Sequence, residues 1–323
     1  MRIVTVTAPG GSENLAIAEA PTPSVAPGEL LIEVMAAGVN RADVLQRQGF
    51  YPPPPGISDV IGLEVAGTVA GLGEGVSGWH LGDPCVALLA GGGYAEYVNV
   101  PAGQVIPPPP GVELVSAAGL IEVAATVVSN FDHVHLEAGE TVLIHGGAGG
   151  IGTFAIQYAK ALGARVIVTA GTAEKLQLCR SLGADVALDY HDDWAEAVTQ
   201  ATGGAGADVI LDIMGAKYLE ANVGCLATDG RLVVIGLQGG RKGTLDLNRL
   251  LIKRATVTAT SLRGRPVAQK AAVCTRVAER VWPLIANSAI KLAPETRFAF
   301  AEVAAAHQLL ESGESVGKIV LVW

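Results

Sequence analysis

Residues 145–152 read HGGAGGIG, with TVLI (141–144) before them and TFAIQYAKALGA (153–164) after. TVLI is β-branched and aliphatic and predicts a fully buried strand. Beyond the glycines, Ile151, Phe154, Ala155, Tyr158, Ala159 and Leu162 recur on one face of a 3.6-residue period, which predicts an amphipathic helix. Strand, glycine turn and helix in that order give G-x-G-x-x-G its physical meaning. Gly147, Gly149 and Gly152 match the spacing, and Gly150 adds a further position without a side chain, beside Ile151. The three glycines are expected to supply a tight turn, backbone N–H groups open to a pyrophosphate, and close helix-to-strand packing. Free N–H groups and the helix dipole then favour an anion. Glycine-rich turns also serve turn geometry alone in many folds.

The next strand narrows the choice. RVIVTA (165–170) follows the helix at once and completes a βαβ unit. An NAD site places a carboxylate near the end of that strand, on the ribose 2′-hydroxyl. Here the strand ends in Ala170, Gly171 and Thr172, so no carboxylate repels a 2′-phosphate. Lys175, in the first turn of the next helix, can hold that phosphate together with the helix N-terminus, and Tyr190, after the third strand, can hydrogen-bond it. NADPH is the expected cofactor. The plainer reading of Lys175 is an exposed helix lysine beside Glu174.

The 323 residues allow two domains of ordinary size. Charged residues are 16% against the usual ~25%, so much surface is expected to be covered by another domain or subunit. A net charge of −9 and the lack of a basic run argue against a nucleic-acid partner. Cys85, Cys179, Cys225 and Cys274 are far apart and form no C-x-x-C, which predicts buried reduced thiols in a cytoplasmic protein. No signal peptide or membrane segment is expected. The uncharged run 141–159 is interrupted by His145 and the glycines.

Residues 1–120 read as short strands separated by Gly- and Pro-rich turns, among them YPPPPG and IPPPPG, and predict a compact β-rich domain. Residues 114–134 predict a helix crossing between domains. After Tyr190, helices and apolar strands alternate through ADVILDIM, RLVVIG and ATVTATSL, which predicts a parallel sheet covered on both faces. Ligands of such sheets lie at the strands' carboxyl ends, where Met214, Gly215, Leu237 and Gln238 stand, although simple turns would use the same residues.

Four stretches together, GVNRADVLQRQGFYPPPPG, GLEVAGTVAGLGEGV, HGGAGGIG and GKIVL, resemble the zinc-independent quinone oxidoreductases of the medium-chain dehydrogenase/reductase superfamily over almost the whole chain. The resemblance implies an α/β protein: a GroES-like catalytic domain of residues 1–121 and 263–323, and a doubly wound Rossmann domain of residues 122–262. It also implies a homodimer joined across the ATVTATSL edge strand, which would otherwise lie open. Where the superfamily's alcohol dehydrogenases carry a cysteine and a histidine, this chain has Asn40 and Leu63, so the soft donors for zinc are missing. A quinone accepts a hydride readily, and the resulting oxyanion needs only hydrogen-bond donors and a proton.

Asn40 and Tyr51 lie on or beside the stretch that resembles the family's substrate loop, and either can orient the quinone or steady the nicotinamide. Tyr51 can equally pack on its neighbouring prolines. Thr126 matches the family position whose hydroxyl approaches the nicotinamide, and otherwise is packing. Leu262 and Arg263 fall where the family's loop approaches the nicotinamide half, with a solvated loop charge as the alternative for Arg263. Asp43 is expected to cap a short helix and Glu64 to satisfy buried backbone donors. The expected activity is metal-free reduction of quinones by NADPH. Reduction of activated C=C bonds in alkenals or enones, and a non-enzymatic NADPH-binding redox sensor, are the competing readings.

Overall fold

The structure, a computed structural model, describes residues 1–323 and divides into two compact units. The first comprises Met1–Ala125, Leu262–Ala286 and Pro294–Trp323, and the second Thr126–Ser261 and Asn287–Ala293.

In chain order the first unit holds β1 (Arg2–Val6), β2 (Leu15–Glu19), β3 (Glu29–Val39), α1 (Arg41–Arg47), β4 (Glu64–Leu72), β5 (Pro84–Leu88), β6 (Tyr97–Pro101), β7 (Val105–Ile106) and α2 (Leu114–Ala117). α3 (Ile121–His133) runs through the division at Ala125. In β3, Leu30, Ile32 and Val34 alternate inward as a half-buried strand requires, and from Ala36 onward both faces are covered. Six strands follow the order β14-β15-β3-β4-β5-β7, with β6 paired to β3; β14 (Glu295–Ala299) and β15 (Lys318–Val322) come from the end of the chain. The predicted helix over 114–134 is interrupted at residues 118–120. A methyl group on Gly119 would stand 2.5 Å from Cγ of Lys318, so the break leaves room for that side chain. The apolar stretch Leu114–His133 is 83% buried within the fold.

The second unit alternates β8 (Thr141–His145), α4 (Gly150–Ala161), β9 (Arg165–Ala170), α5 (Ala173–Ser181), β10 (Val186–Asp189), α6 (Trp194–Ala201), β11 (Ala207–Asp212), α7 (Leu219–Cys225), β12 (Leu226–Val234), α8 (Leu247–Lys253) and β13 (Thr256–Ala259). All neighbouring strands are parallel, in the order β10-β9-β8-β11-β12-β13. That is the doubly wound order, whose switch point falls between β8 and β11. Beyond the sheet lie α9 (Val267–Arg280), α10 (Trp282–Ala286) and α11 (Val303–Ser312), all of the first unit.

Asn287–Ala293, expected with the catalytic domain, belongs to the second unit for a local reason. The buried Gln157 amide of α4 donates to the Lys291 carbonyl at 3.0 Å and accepts its N–H at 2.8 Å.

Candidate active site

The glycine turn joins β8 to α4. Gly146 takes φ +74°, in the left-handed region, so the backbone reversal falls one residue earlier than the fingerprint suggests. Gly147 is the packing glycine here: a Cβ would stand 2.8 Å from Cys179 Sγ and 2.9 Å from Cβ of Val168. Gly152 packs so closely that a Cβ would overlap the Gly146 carbonyl oxygen. Gly149 caps α4 with extended backbone, and its nearest neighbour would be 3.6 Å away, so the helix N-terminus beside Gly150 and Ile151 stays approachable.

At the ends of β9 and β10, Gly171, Thr172, Lys175 and Tyr190 divide into two neighbouring pairs. The Tyr190 hydroxyl lies against Gly171, where no Cβ would fit. Thr172 caps α5, its hydroxyl accepting the Lys175 N–H at 3.2 Å. Glu174 shares this turn, and its own backbone N–H and the Thr172 hydroxyl hold its carboxyl below the usual range.

After β11, Met214 and Gly215 donate backbone N–H bonds at 2.7 and 2.9 Å to Asp212, a fully buried acid whose carboxyl is raised by burial. Across from them run Leu237 and Gln238: Gly239 donates to the Met214 carbonyl at 2.7 Å and Gln238 to that of Ile213 at 3.2 Å. Leu237 is 51% exposed, large for an apolar side chain. Thr126 is buried on α3, and its carbonyl accepts the Asn130 amide at 2.8 Å; Asn130 in turn accepts the Thr260 hydroxyl at 2.6 Å.

In the first unit Asn40 precedes α1 and is buried in a closed polar ring. Lys318 Nζ donates to its Oδ1 at 2.6 Å, its Nδ2 donates to Glu64 Oε1 at 3.0 Å, and that same oxygen lies 2.6 Å from Lys318 Nζ. Glu64 also accepts the Glu122 N–H at 2.9 Å, so the expected satisfaction of backbone donors accompanies an ion pair the sequence did not suggest. Both ends of the Asn40 amide are therefore occupied from within the protein.

Asp43 accepts the Asn40 N–H at 2.7 Å and the Tyr94 hydroxyl at 3.3 Å on one oxygen, while its other oxygen is buried without a partner. Burial raises its carboxyl to about 7. Tyr94 Oη lies 3.2 Å from His307 Nε2, whose ring meets Arg47, and Arg47 pairs with Glu311 at 2.6 Å.

Tyr51 is half-buried, and its ring lies beneath the Arg263 guanidinium, 5.1 Å from the cation. Arg263 is not the solvated charge considered above: it is 5% exposed and donates to Ala90 O at 2.6 Å, Tyr51 O at 3.1 Å and Gln46 Oε1 at 2.7 Å. Leu262, beside it, is half-buried.

Zinc does not fit the residues around Asn40. An amide and a fixed ammonium stand where soft anionic or imidazole donors would be needed, and Leu63 is a core side chain. The four cysteines are buried, and burial raises their thiols to between about 11 and about 12.

A six-stranded doubly wound sheet with its glycine turn, set in one chain with a separate β-rich unit closed by the C-terminal strands, defines a medium-chain dehydrogenase/reductase. Residues 26–110 match the alcohol dehydrogenase GroES-like domain and residues 150–277 the zinc-binding dehydrogenase family. A quinone oxidoreductase of Pseudomonas aeruginosa is 32% identical over 317 residues, spanning 97% of each chain. A mycobacterial protein solved with NADPH has a TM-score of 0.91 and 35% identity over the full length of both chains. The CurK enoyl reductase has a TM-score of 0.88 at 27% identity, covering 99% of this chain and 98% of its own. The chain belongs to the quinone oxidoreductase family of the medium-chain dehydrogenase/reductase superfamily and is an oxidoreductase.

Proposed function

We propose that the enzyme reduces quinones with NADPH by direct hydride transfer and without a metal ion. The observation that carries the cofactor assignment is the end of β9, where Gly171 and Thr172 replace a carboxylate and Lys175 and Tyr190 flank them. Bound NADPH supplies the hydride. The chain's own residues bind and orient it: N–H groups at the start of α4 meet the pyrophosphate, and Thr172, Lys175 and Tyr190 meet the 2′-phosphate. Met214, Gly215, Leu237 and Gln238 would border it, and Thr126 and Leu262 would meet its nicotinamide half. Asn40, held within its own unit by Lys318 and Glu64, and Tyr51 would orient the quinone or steady the nicotinamide. One hydride and one proton convert the quinone to its hydroquinone.

Anaerobic single turnover of NADPH and NADH against ortho-quinones, para-quinones and enones tests the proposal. Fast quinone reduction with NADPH, unchanged after treatment with a chelator, is the expected result. Preference for NADH, or loss of turnover on chelation, would overturn it.

The likeness to an enoyl reductase favours a second activity, reduction of activated C=C bonds. There the hydride adds to the β-carbon and a proton must reach the α-carbon, a task suited to the Tyr51 phenol. Y51F should then nearly abolish enone reduction and spare reactive quinones, whereas equal losses on both would remove the distinction.

Within the family, the stretches GVNRADVLQRQGFYPPPPG, GLEVAGTVAGLGEGV, HGGAGGIG and GKIVL together support a likeness to the p53-inducible quinone oxidoreductase. A homodimer is supported by the outer edge of β13 together with Leu247, Leu251 and Ile252 of α8, which are 69, 74 and 65% exposed. Buried thiols with raised pKa values suit a reducing cytoplasm.

A further inference from the structure

We infer that Arg263 is a positioning residue for this chemistry and acts through Tyr51, an inference that rests on the role proposed for Tyr51 above. Residues 52–55 are four consecutive prolines and offer no backbone N–H, so main-chain support is confined to the flanks, where Tyr51 donates to the Leu45 carbonyl at 3.2 Å and Ile57 to that of Pro54 at 3.1 Å. Side chains hold the rest. Arg263 donates to the Tyr51 carbonyl at its start, and Gln46, which accepts from Arg263, donates through Nε2 to the Asp59 carbonyl at its end at 2.8 Å. A third bond, from Nε to the Ala90 carbonyl just beyond β5, fixes the guanidinium itself.

The three acceptors are neutral oxygens, and the buried charge forms no salt bridge. An isolated buried cation opposes folding, and neutral amide donors would serve carbonyl oxygens as well. What a neutral donor would not supply is the planar cation over the Tyr51 ring. The clamp and the stacked charge together set the orientation of the phenol.

The test is a double-mutant cycle in enone reduction, with thermal unfolding of every variant measured alongside. R263K keeps the charge but not the fork. It should lower kcat by roughly tenfold or more and leave KM for NADPH unchanged, and in a Y51F background the same replacement should cost less than about twofold. Q46L removes one tether without touching the charge. It should show a smaller loss that also vanishes in Y51F, and it carries the test if R263K does not fold.

Equal losses from R263K in both backgrounds would overturn the inference while sparing the Tyr51 reading. So would a rise in KM for NADPH at constant kcat, which would mark Arg263 as a cofactor contact. A Y51F enzyme that reduces enones as fast as wild type would overturn both.

Discussion

Lys318 and Glu64, separated by most of the chain, meet at 2.6 Å inside the first unit, and Asn40 closes the ring between them. Glu64 is wholly buried, so its charge is tolerable only beside that ammonium. K318M should destabilise the protein by about 3–5 kcal/mol in urea unfolding, and adding E64Q should recover most of the loss. A K318M protein within about 0.5 kcal/mol of wild type would show that the pair carries no weight.

Asp43 gives the stability a pH dependence opposite in sign to that of its histidine neighbour. Its folded value, about 7, stands above the unfolded 3.8 because burial outweighs the Asn40 N–H and the Lys318 charge, while Glu64 and Glu122 push the same way as burial. Its contribution is therefore complete below about pH 4 and is lost as pH rises through 7. His307 and His145, lowered by burial to about 3 and about 4, contribute above 6.5 and lose that contribution on acidification. The stability of D43N relative to wild type should rise by roughly 1.4 kcal/mol per pH unit between about 4 and 7. A difference independent of pH would mean that Asp43 is ionised throughout.

The glycines of the turn should separate folding from cofactor binding. A methyl at Gly152 overlaps the Gly146 carbonyl, so G152A should unfold several degrees earlier. At Gly149 the same methyl meets nothing closer than 3.6 Å and the backbone is already extended. G149A should keep its melting temperature and raise the NADPH dissociation constant by calorimetry. Unchanged affinity in G149A would move the pyrophosphate away from this turn.

K175A removes the cation next to the Thr172 cap and should cut kcat/KM for NADPH by roughly 10- to 100-fold, the worth of one charge-assisted bond, with little change for NADH. If both cofactors lose equally, Lys175 supports the helix rather than the 2′-phosphate.

L251K combined with I252K places two charges on the exposed face of α8 and should convert a dimer to monomers in sedimentation velocity. Wild-type protein that sediments as a monomer would remove the proposed interface.

The parallel sheet could be read directly because apolar strands and amphipathic helices alternate with short turns, and β8 to β11 lie where RVIVTA, ADVILDIM and their neighbours predicted, while β12 starts at Leu226, five residues before RLVVIG. Local pattern was less informative about individual roles. Gly146, not Gly147, takes the left-handed turn, since φ depends on how the turn meets Ile213 and Val168. Lys318 was the most important omission. The lysine opening the apolar strand KIVLV was the signal, but its partners lie 254 and 278 residues earlier, beyond any periodicity. The alternative of a loop charge for Arg263 stayed open because nothing nearby in sequence announces a proline loop that needs an external clamp.

Gln157 reaches from α4, where its amide also donates to the Thr153 carbonyl, to both backbone groups of Lys291, a residue reached only after the chain has left the nucleotide-binding sheet and built two further helices. A recombinant fragment ending at Ser261 would thus leave the Gln157 carbonyl oxygen without its donor and its amide with only the Thr153 carbonyl, inside a buried helix face. The dinucleotide module is not excisable as one continuous piece, and its last stitch is sewn by the polypeptide's return.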